Sequence, residues 1–386
     1  MYPDLSYLFH DLFGTHYDNW TSIFKTFGLL LALAFLASAY VLKLELQRKE
    51  KDGLLKAMPV IEKKNKSQST VITLIINFVI GFIIGFKLFF MFSNFDAFKA
   101  DPAAILLSGK GNIIGGIIIG LVYFAYTYWD LKKTKESTEI KKTIIHPYER
   151  TGDITIIAAV SGLIGARLFS VLENLDSFFA DPLGQLLSGS GLTIYGGLIL
   201  AFFIVYLYVK KNGIPPIHMM DMAALAVIMG YAVGRLGCQF SGDGDWGIVN
   251  EMAKPSWFLL PDWLWSFNYP HNVAQQGIII DGCQAHYCRH LIPKVFPTPL
   301  YESIASFGIF FLLWSLRKKI KIAGVLFFIY LILQGIERFL IEIIRVNPRY
   351  NYFGYDWSQA QYISIGFILI GILGVVVLYK KNKVSL

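Results

Sequence analysis

Nine apolar runs divide this chain, and each is followed by a loop whose charge differs from that of the loop before it. The runs fall at 22–44, 71–92, 112–129, 154–173, 192–209, 218–237, 300–316, 322–344 and 361–379. A helix needs about 20 apolar residues to cross a bilayer, so all nine are expected to span, with 218–237 and 300–316 the marginal members. In lipid, a backbone must satisfy its own hydrogen bonds, and helices of this kind do so. The expected fold is therefore an all-α polytopic membrane protein. Composition agrees, since 55% of the 386 residues are hydrophobic and only 16% are charged.

The net charge of +8 resides mostly in alternate loops. Arg48, Lys49, Lys51, Lys56, Lys63, Lys64 and Lys66 follow the first run, and Lys132, Lys133, Lys135, Lys141 and Lys142 follow the third. Lys210 and Lys211 follow the fifth, and Arg317, Lys318, Lys319 and Lys321 the seventh. Loops 93–111, 174–191, 238–299 and 345–360 are poor in Lys and Arg. The positive-inside rule then places the basic loops in the cytoplasm, the N-terminus outside and the Lys380, Lys381, Lys383 tail inside. This distribution accounts for the charge without nucleic acid, which is not an expected partner. Residues 1–20 hold neither a basic cluster nor a long apolar stretch, so the first run reads as a retained helix rather than a cleaved leader.

The whole chain, 1–386, reads as one membrane domain carrying an internal repeat. Gly85 to Pro102 matches Gly165 to Pro182, and Leu106-Leu107-Ser108-Gly109 matches Leu186-Leu187-Ser188-Gly189. After one inserted residue, Gly115-Gly116 matches Gly196-Gly197. The pair 71–129 is thus a copy of 154–209 in the same orientation. Lys87 stands where the second copy has Arg167, and Tyr195 falls at the inserted position. The second copy is expected to hold chemistry and the first to be scaffold.

Chemistry is expected where the sixth run ends. From Gly230 to Gly247 the chain delivers Arg235, Asp243, Asp245 and glycines 234, 237, 242, 244 and 247. An arginine in the last turn of a membrane helix is costly unless paired, and glycines let main-chain N–H groups approach an anion. Arg167, Tyr195, Arg235 and Glu302 share the outer level, and Gln334, Arg338, Glu342 and Arg345 form one stripe at i, i+4, i+8 and i+11. Arginines in excess within one leaflet suit an anionic lipid headgroup held by guanidinium forks.

Plainer roles compete for several of these residues. Arg345 and Lys87 read as snorkelling to the interface, Asp221 as a first-turn acid, and Cys238 as a small buried hydrophobe. Glu302 is equally a helix-start carboxylate, Tyr195 an aromatic-belt residue, and Arg338–Glu342 a structural pair. The outer loop 238–299 reads as a small periplasmic head. Its segment Trp257 to Trp265 lies either in the headgroup region or on a buried face of that head. Cys283 and Cys288, in the same loop, point to a disulfide rather than a metal site, and no metal or cofactor is expected.

These motifs resemble the phosphatidylglycerol–prolipoprotein diacylglyceryl transferases of bacteria. The carriers are Gly234-Arg235-Leu236-Gly237 with Gly242, Asp243, Trp246 and Gly247; Gly165-Ala166-Arg167-Leu168 with Asn174; and Ile194-Tyr195-Gly196-Gly197-Leu198. Pro299-Leu300-Tyr301-Glu302 and Gly335-Ile336-Glu337-Arg338-Phe339 with Glu342 and Arg345 follow in the family's order, and Thr26-Phe27-Gly28 resembles its first motif more weakly. The resemblance covers the first helix and nearly everything from 160 onward. Tyr195 stands where the family usually has His, Cys238 where it has Asn, Phe27 where it has Tyr, and Asp243, beside an extra residue, where it has Glu. The helix pair 71–129 is additional to the family's usual seven spans.

The resemblance implies an enzyme of the bacterial inner membrane, with its site facing the periplasmic leaflet. It would transfer diacylglyceryl from phosphatidylglycerol to the lipobox cysteine in the signal peptide of a prolipoprotein. Arg235, Arg338, Tyr195 and Asp243 would be catalytic. Arg235, Arg167, Gly234, Gly237, Gly196, Gly197, Glu302 and Glu342 would hold the phospholipid. The competing expectations are a non-catalytic lipid- or lipoprotein-binding homologue and, because parallel repeats also build transporters, a lipid or solute carrier.

Overall fold

A computed structural model describes residues 1–62, 69–133, 141–182, 193–352 and 354–384. The chain forms two compact units: Met1–Lys56, Pro147–Thr155 and Val209–Leu386 make the first, and Ala57–His146 with Ile156–Tyr208 the second. Among the described residues stand long helices α1 Thr26–Lys51, α2 Ser69–Ser93, α3 Ile113–Lys133, α4 Thr151–Glu173, α5 Ile194–Lys211, α6 Pro216–Ser241, α7 Thr298–Leu316, α8 Val325–Ile341 and α9 Gln359–Val384. Seven segments are long and apolar enough to cross a membrane, and they include both runs expected to be marginal, which became α6 and α7. The short helices are instead α5, of 18 residues, and α8, of 17. The run 322–344 is trimmed at both ends: Gly324 sits at φ 88° before the helix, and the last turn tightens to a 3₁₀ turn at Glu342–Ile344.

In the first unit α6 packs along α1 and α7, and α8 along α9. Val41, Leu225, Ile228, Phe310, Leu313 and Leu326 form its buried centre. Gly335 allows the α8–α9 approach, because a Cβ there would lie 2.8 Å from the carbonyl oxygen of Ser364. The loop 242–297 belongs to this unit as well. It is held by the Cys283–Cys288 disulfide, by a core of Trp246, Tyr269, Leu291 and Val295, and by Asn272, whose amide donates to the carbonyls of Tyr269, Gln276 and Arg289. The N-terminal residues pack on it: Tyr287 N–H donates to Tyr7 Oη at 2.9 Å and His286 N–H to Asp18 Oδ2 at 2.8 Å.

The second unit makes the repeat visible as geometry. Gly85 faces the carbonyl of Gly115, and its equivalent Gly165 faces that of Gly196. Phe89 lies against Gly115 as Phe169 lies against Gly196. The turn before each second helix is tied back alike, Asn112 N–H to Phe86 O at 2.9 Å and Thr193 N–H to Ala166 O at 3.1 Å. Small residues that let two backbones meet are the usual currency of helix association in lipid. The first copy is closed at its base by an antiparallel ribbon, β1 Met58–Glu62 on β2 Lys141–Ile145, with Met58 opposite Ile145. The match at Leu186 to Gly189, and Lys63, Lys64, Lys66 and Lys135 of the basic loops, lie outside the described residues.

Candidate active site

Helix α6 carries Arg235 to its last two turns, then stops at Gly242, whose φ of 64° turns the chain back toward the helix it has left. Gly244 follows at φ 105°. Both conformations are costly for residues with a Cβ, and together they return Asp243 and Asp245 to the helix end. Thr298 Oγ1 donates to the carbonyl of Asp245 at 2.9 Å, tying this turn to the start of α7. On the other side, the 3₁₀ turn after α8 swings Arg345 opposite Gly247, where Ile248 N–H donates to Ile344 O at 2.8 Å.

Glu302, fully buried in the second turn of α7, is the centre of what these turns assemble. Its Oε1 accepts from Arg235 Nη2 at 2.6 Å and from Arg345 Nη1 at 2.7 Å. Its Oε2 accepts from the hydroxyl of Tyr231 and lies 3.6 Å from Arg338 Nη1. Asp245 closes a ring: one oxygen takes Arg235 Nη1 and the other takes Arg345 Nη2 at 3.0 Å. Arg338 also pairs with Glu342 at 3.0 Å, and Asn347 donates to the other oxygen of Glu342. Three guanidinium groups thus meet three carboxylates around the buried Glu302, where removing one partner of a buried pair costs about 3–5 kcal/mol.

Exposure separates the members. Glu302 and Glu342 are sealed, whereas the Asp245 side chain is 40% exposed and that of Arg338 24%. Arg235 and Arg345 therefore share one carboxylate that sits at the mouth. Burial works against ionisation of Asp245, but Arg235 and Arg345 outweigh it and hold the carboxyl below its usual range. Asp243 is pushed the other way, first by burial and further by the charge of Asp245. Its Oδ1 accepts the Asp245 N–H at 3.2 Å. Cys238, Asp243 and Asp245 stand close enough to hold a cation together, yet Arg235 already takes that place, with Nη1 on Asp245 and 3.4 Å from the Cys238 sulfur.

Several sequence expectations change here. Arg345 does not snorkel: its side chain is 9% exposed and it closes the ring. Glu302 is more than a helix-start acid, and Arg338 pairs with it as well as with Glu342. Gln334, placed in the stripe, donates to Glu337 at 2.9 Å. Lys87 donates to the carbonyls of Ile105, Ser108 and Lys110 and so braces a loop of the first copy. Asp221 is not a simple first-turn acid, since it binds Lys49 and caps the start of α8 through Gly324 and Phe327 N–H. Of the two readings of Trp257 to Trp265, the buried face fails for Trp257 and Leu259, which are 72% and 91% exposed.

The expected site residues divide between the units. Arg235, Arg338, Glu302, Glu342 and Asp243 come together in the first, where Gly234 has open space beside it and a Cβ at Gly237 would lie 3.3 Å from the ring of Phe27. Arg167 and Tyr195 belong to the second, both half-buried. Gly196 and Gly197 there serve helix contact, against Phe169 and the carbonyl of Gly162. Tyr231 and Asn347 escaped the sequence reading, and Asp245 entered it only as a member of the glycine-rich run, without a role of its own. Tyr231 had a signal, since it lies one turn before Arg235.

A family model described as prolipoprotein diacylglyceryl transferase matches residues 134–377. The matched stretch begins after α3, so the second copy of the repeat lies inside it and the first outside. A protein of Leptospira interrogans named phosphatidylglycerol–prolipoprotein diacylglyceryl transferase is 29% identical over 300 residues, covering 64% of this chain and 85% of its own. Proteins of the same name from Clostridioides difficile and Clostridium botulinum are 34% and 31% identical, over 60% and 61% of this chain and 79% and 83% of theirs.

Proposed function

The chain belongs to the prolipoprotein diacylglyceryl transferase family, and on that premise we propose that it moves the diacylglyceryl group of phosphatidylglycerol onto the lipobox cysteine of a prolipoprotein. It is a multi-pass membrane transferase. In our reading it sits in the bacterial inner membrane with the Arg235 cluster in the periplasmic leaflet and the basic loops in the cytoplasm.

One observation carries the assignment of the site: two buried arginines that share the sealed Glu302 also share the half-exposed carboxylate of Asp245. Asp245 makes, with one oxygen to Arg235 and one to Arg345, the two contacts that the free oxygens of a phosphodiester would make. An arriving headgroup exchanges with Asp245 while Glu302, held from behind, keeps both forks aimed. Arg338, the more exposed of the three arginines, supplies a further donor.

The reaction needs a thiolate and a stabilised leaving group. The thiol proton passes to a base. The sulfur attacks the glycerol carbon that carries the phosphate oxygen, and that carbon–oxygen bond breaks with its electron pair going to the oxygen. A thioether forms and glycerol phosphate leaves, its added charge met by Arg235 and Arg338. Asp243 suits the base, because a carboxylate raised above its usual range holds a proton more strongly. Glu302 is saturated by arginines and Tyr231 and serves to position them. The exposed apolar stretch at Trp257 would rest on the lipid surface.

The test is diacylglyceryl transfer to a lipobox peptide by the purified chain in phosphatidylglycerol vesicles. Arg235→Ala, folded by circular dichroism, is expected to lose at least about 100-fold in rate, the usual loss when a donor to developing negative charge is removed. Full transfer by that variant overturns the phosphate assignment; no transfer by folded wild type overturns the function.

A further inference from the structure

The opposite end of α6 holds a second gathering of cations, which the transfer reaction does not use. Asp221 and Arg235 are 14 residues apart on one helix, about 21 Å at 1.5 Å per residue, so the two places are distinct. A cavity of about 400 Å³ opens there between the end of α1, the start of α6 and the α7–α8 turn. That volume lies within the ~300–1,000 Å³ of small-ligand sites. Five of its lining side chains are cationic, Arg48, Lys49, Arg317, Lys318 and Lys321, against two acidic ones, Asp52 and Asp221.

The floor of the cavity is fixed. Glu45, 1% exposed, accepts from Arg48 Nη2 at 2.7 Å and from Arg317 Nε at 2.9 Å, and Arg317 stacks 3.3 Å over the ring of Trp314. Asp221 is committed to Lys49 at 3.2 Å and to two backbone N–H groups of the α8 start. Lys49 Nζ, which can only donate, lies 3.3 Å from His218 Nδ1. His218 Nδ1 must therefore accept, which leaves the ring proton on Nε2 and makes this cavity-lining histidine a donor. At the rim, Lys318 and Lys321 are exposed and have no ion pair among the described residues. The lining acids Asp52 and Asp221 are already paired with Arg48 and Lys49, while among the described residues Lys318, Lys321 and the imidazole N–H have no acceptor.

We propose that this cavity binds a phosphate group, carried either by an anionic phospholipid of the adjoining leaflet or by a small phosphate in solution. Basic pockets between membrane helices recognise headgroups, and here paired arginines lie below exposed lysines. The site does not depend on the transferase reading, since none of its residues belongs to the Arg235 cluster.

The experiment uses the full chain in phosphatidylcholine nanodiscs with increasing phosphatidic acid, and counts retained phosphatidic acid by native mass spectrometry. Wild type is compared with Lys318→Gln/Lys321→Gln, whose exposed positions leave the fold intact, as equal melting temperatures verify. Phosphatidic acid at the Arg235 cluster is common to both proteins and cancels. Wild type is expected to retain one more phosphatidic acid, with roughly ten- to thirty-fold tighter binding. Inorganic phosphate added at about 10 mM separates the sources: retention unaffected by it assigns a lipid headgroup, and displacement assigns a soluble phosphate. Equal retention by both proteins, together with equal binding of inorganic phosphate measured calorimetrically, overturns the site.

Discussion

Helix α6 ends in a buried ion network at each terminus, and the two are built differently. At the Arg235 end, arginines meet carboxylates in a ring whose outermost acid, Asp245, lies on a glycine-bent loop and is 40% exposed. At the Asp221 end, two acids are sealed: Glu45 lies between Arg48 and Arg317, and Asp221 holds Lys49 together with the first N–H groups of α8. Desolvated charges that are pinned by backbone donors stay where they are, whereas a pair with one member on a loop at the surface can exchange partners. Burial of charge alone therefore does not mark the transfer site; replaceability of one partner does.

The contrast can be broken most severely at Glu302. Glu302→Ala strands Arg235 and Arg345 without their shared acceptor, and a loss of about 3–5 kcal/mol is expected, read as a lower melting temperature in detergent. Glu302→Gln keeps one acceptor oxygen and should recover part of it. Asp221→Asn, at the other end, weakens the cap on α8 and the pair with Lys49. Its expected cost is about 1–3 kcal/mol of stability, with transfer per folded molecule unchanged. Loss of transfer without loss of stability in Asp221→Asn would erase the distinction between the two ends.

Acidification sharpens the comparison with a smaller effect. The Asp243 carboxyl is raised and that of Asp245 lowered, so as pH falls from neutrality Asp243 takes up its proton first. A raised carboxyl is disfavoured as the anion in the fold, so this protonation does not cost stability. Asp245 contributes stability above the unfolded carboxyl range near ~3.9, and it is lost only as pH falls through its lower folded value. Transfer is therefore expected to decline at a pH where the melting temperature holds or rises, and Asp243→Asn should remove that limb. A melting temperature that falls together with transfer would count against Asp243 as the base.

Much of this was legible before folding. Runs of apolar residues located the helices, because a bilayer leaves the backbone few alternatives. Arg235 was legible for a related reason: a guanidinium in a membrane helix needs a partner. What the sequence hid were partners that depend on turns. Arg345 looked like a snorkelling end-residue, since nothing in its neighbourhood foretold that α8 would tighten after Ile341 and rotate it inward. Asp245 and Asp243 are two residues apart and chemically identical, and only the positive φ values of Gly242 and Gly244 decide which meets the arginines. Asp221 kept its second role hidden because its backbone partners, Gly324 and Phe327, lie some hundred residues away.

The ribbon at the base of the first helix pair carries a consequence for ancestry. Met58 and Ile145 are opposite one another in an antiparallel pair, where facing Cα atoms lie about 4.5–5.5 Å apart. The chain thus enters and leaves the 57–146 segment through a single doorway. A stretch with adjoining ends can be acquired or discarded in one genetic event without rerouting anything on either side.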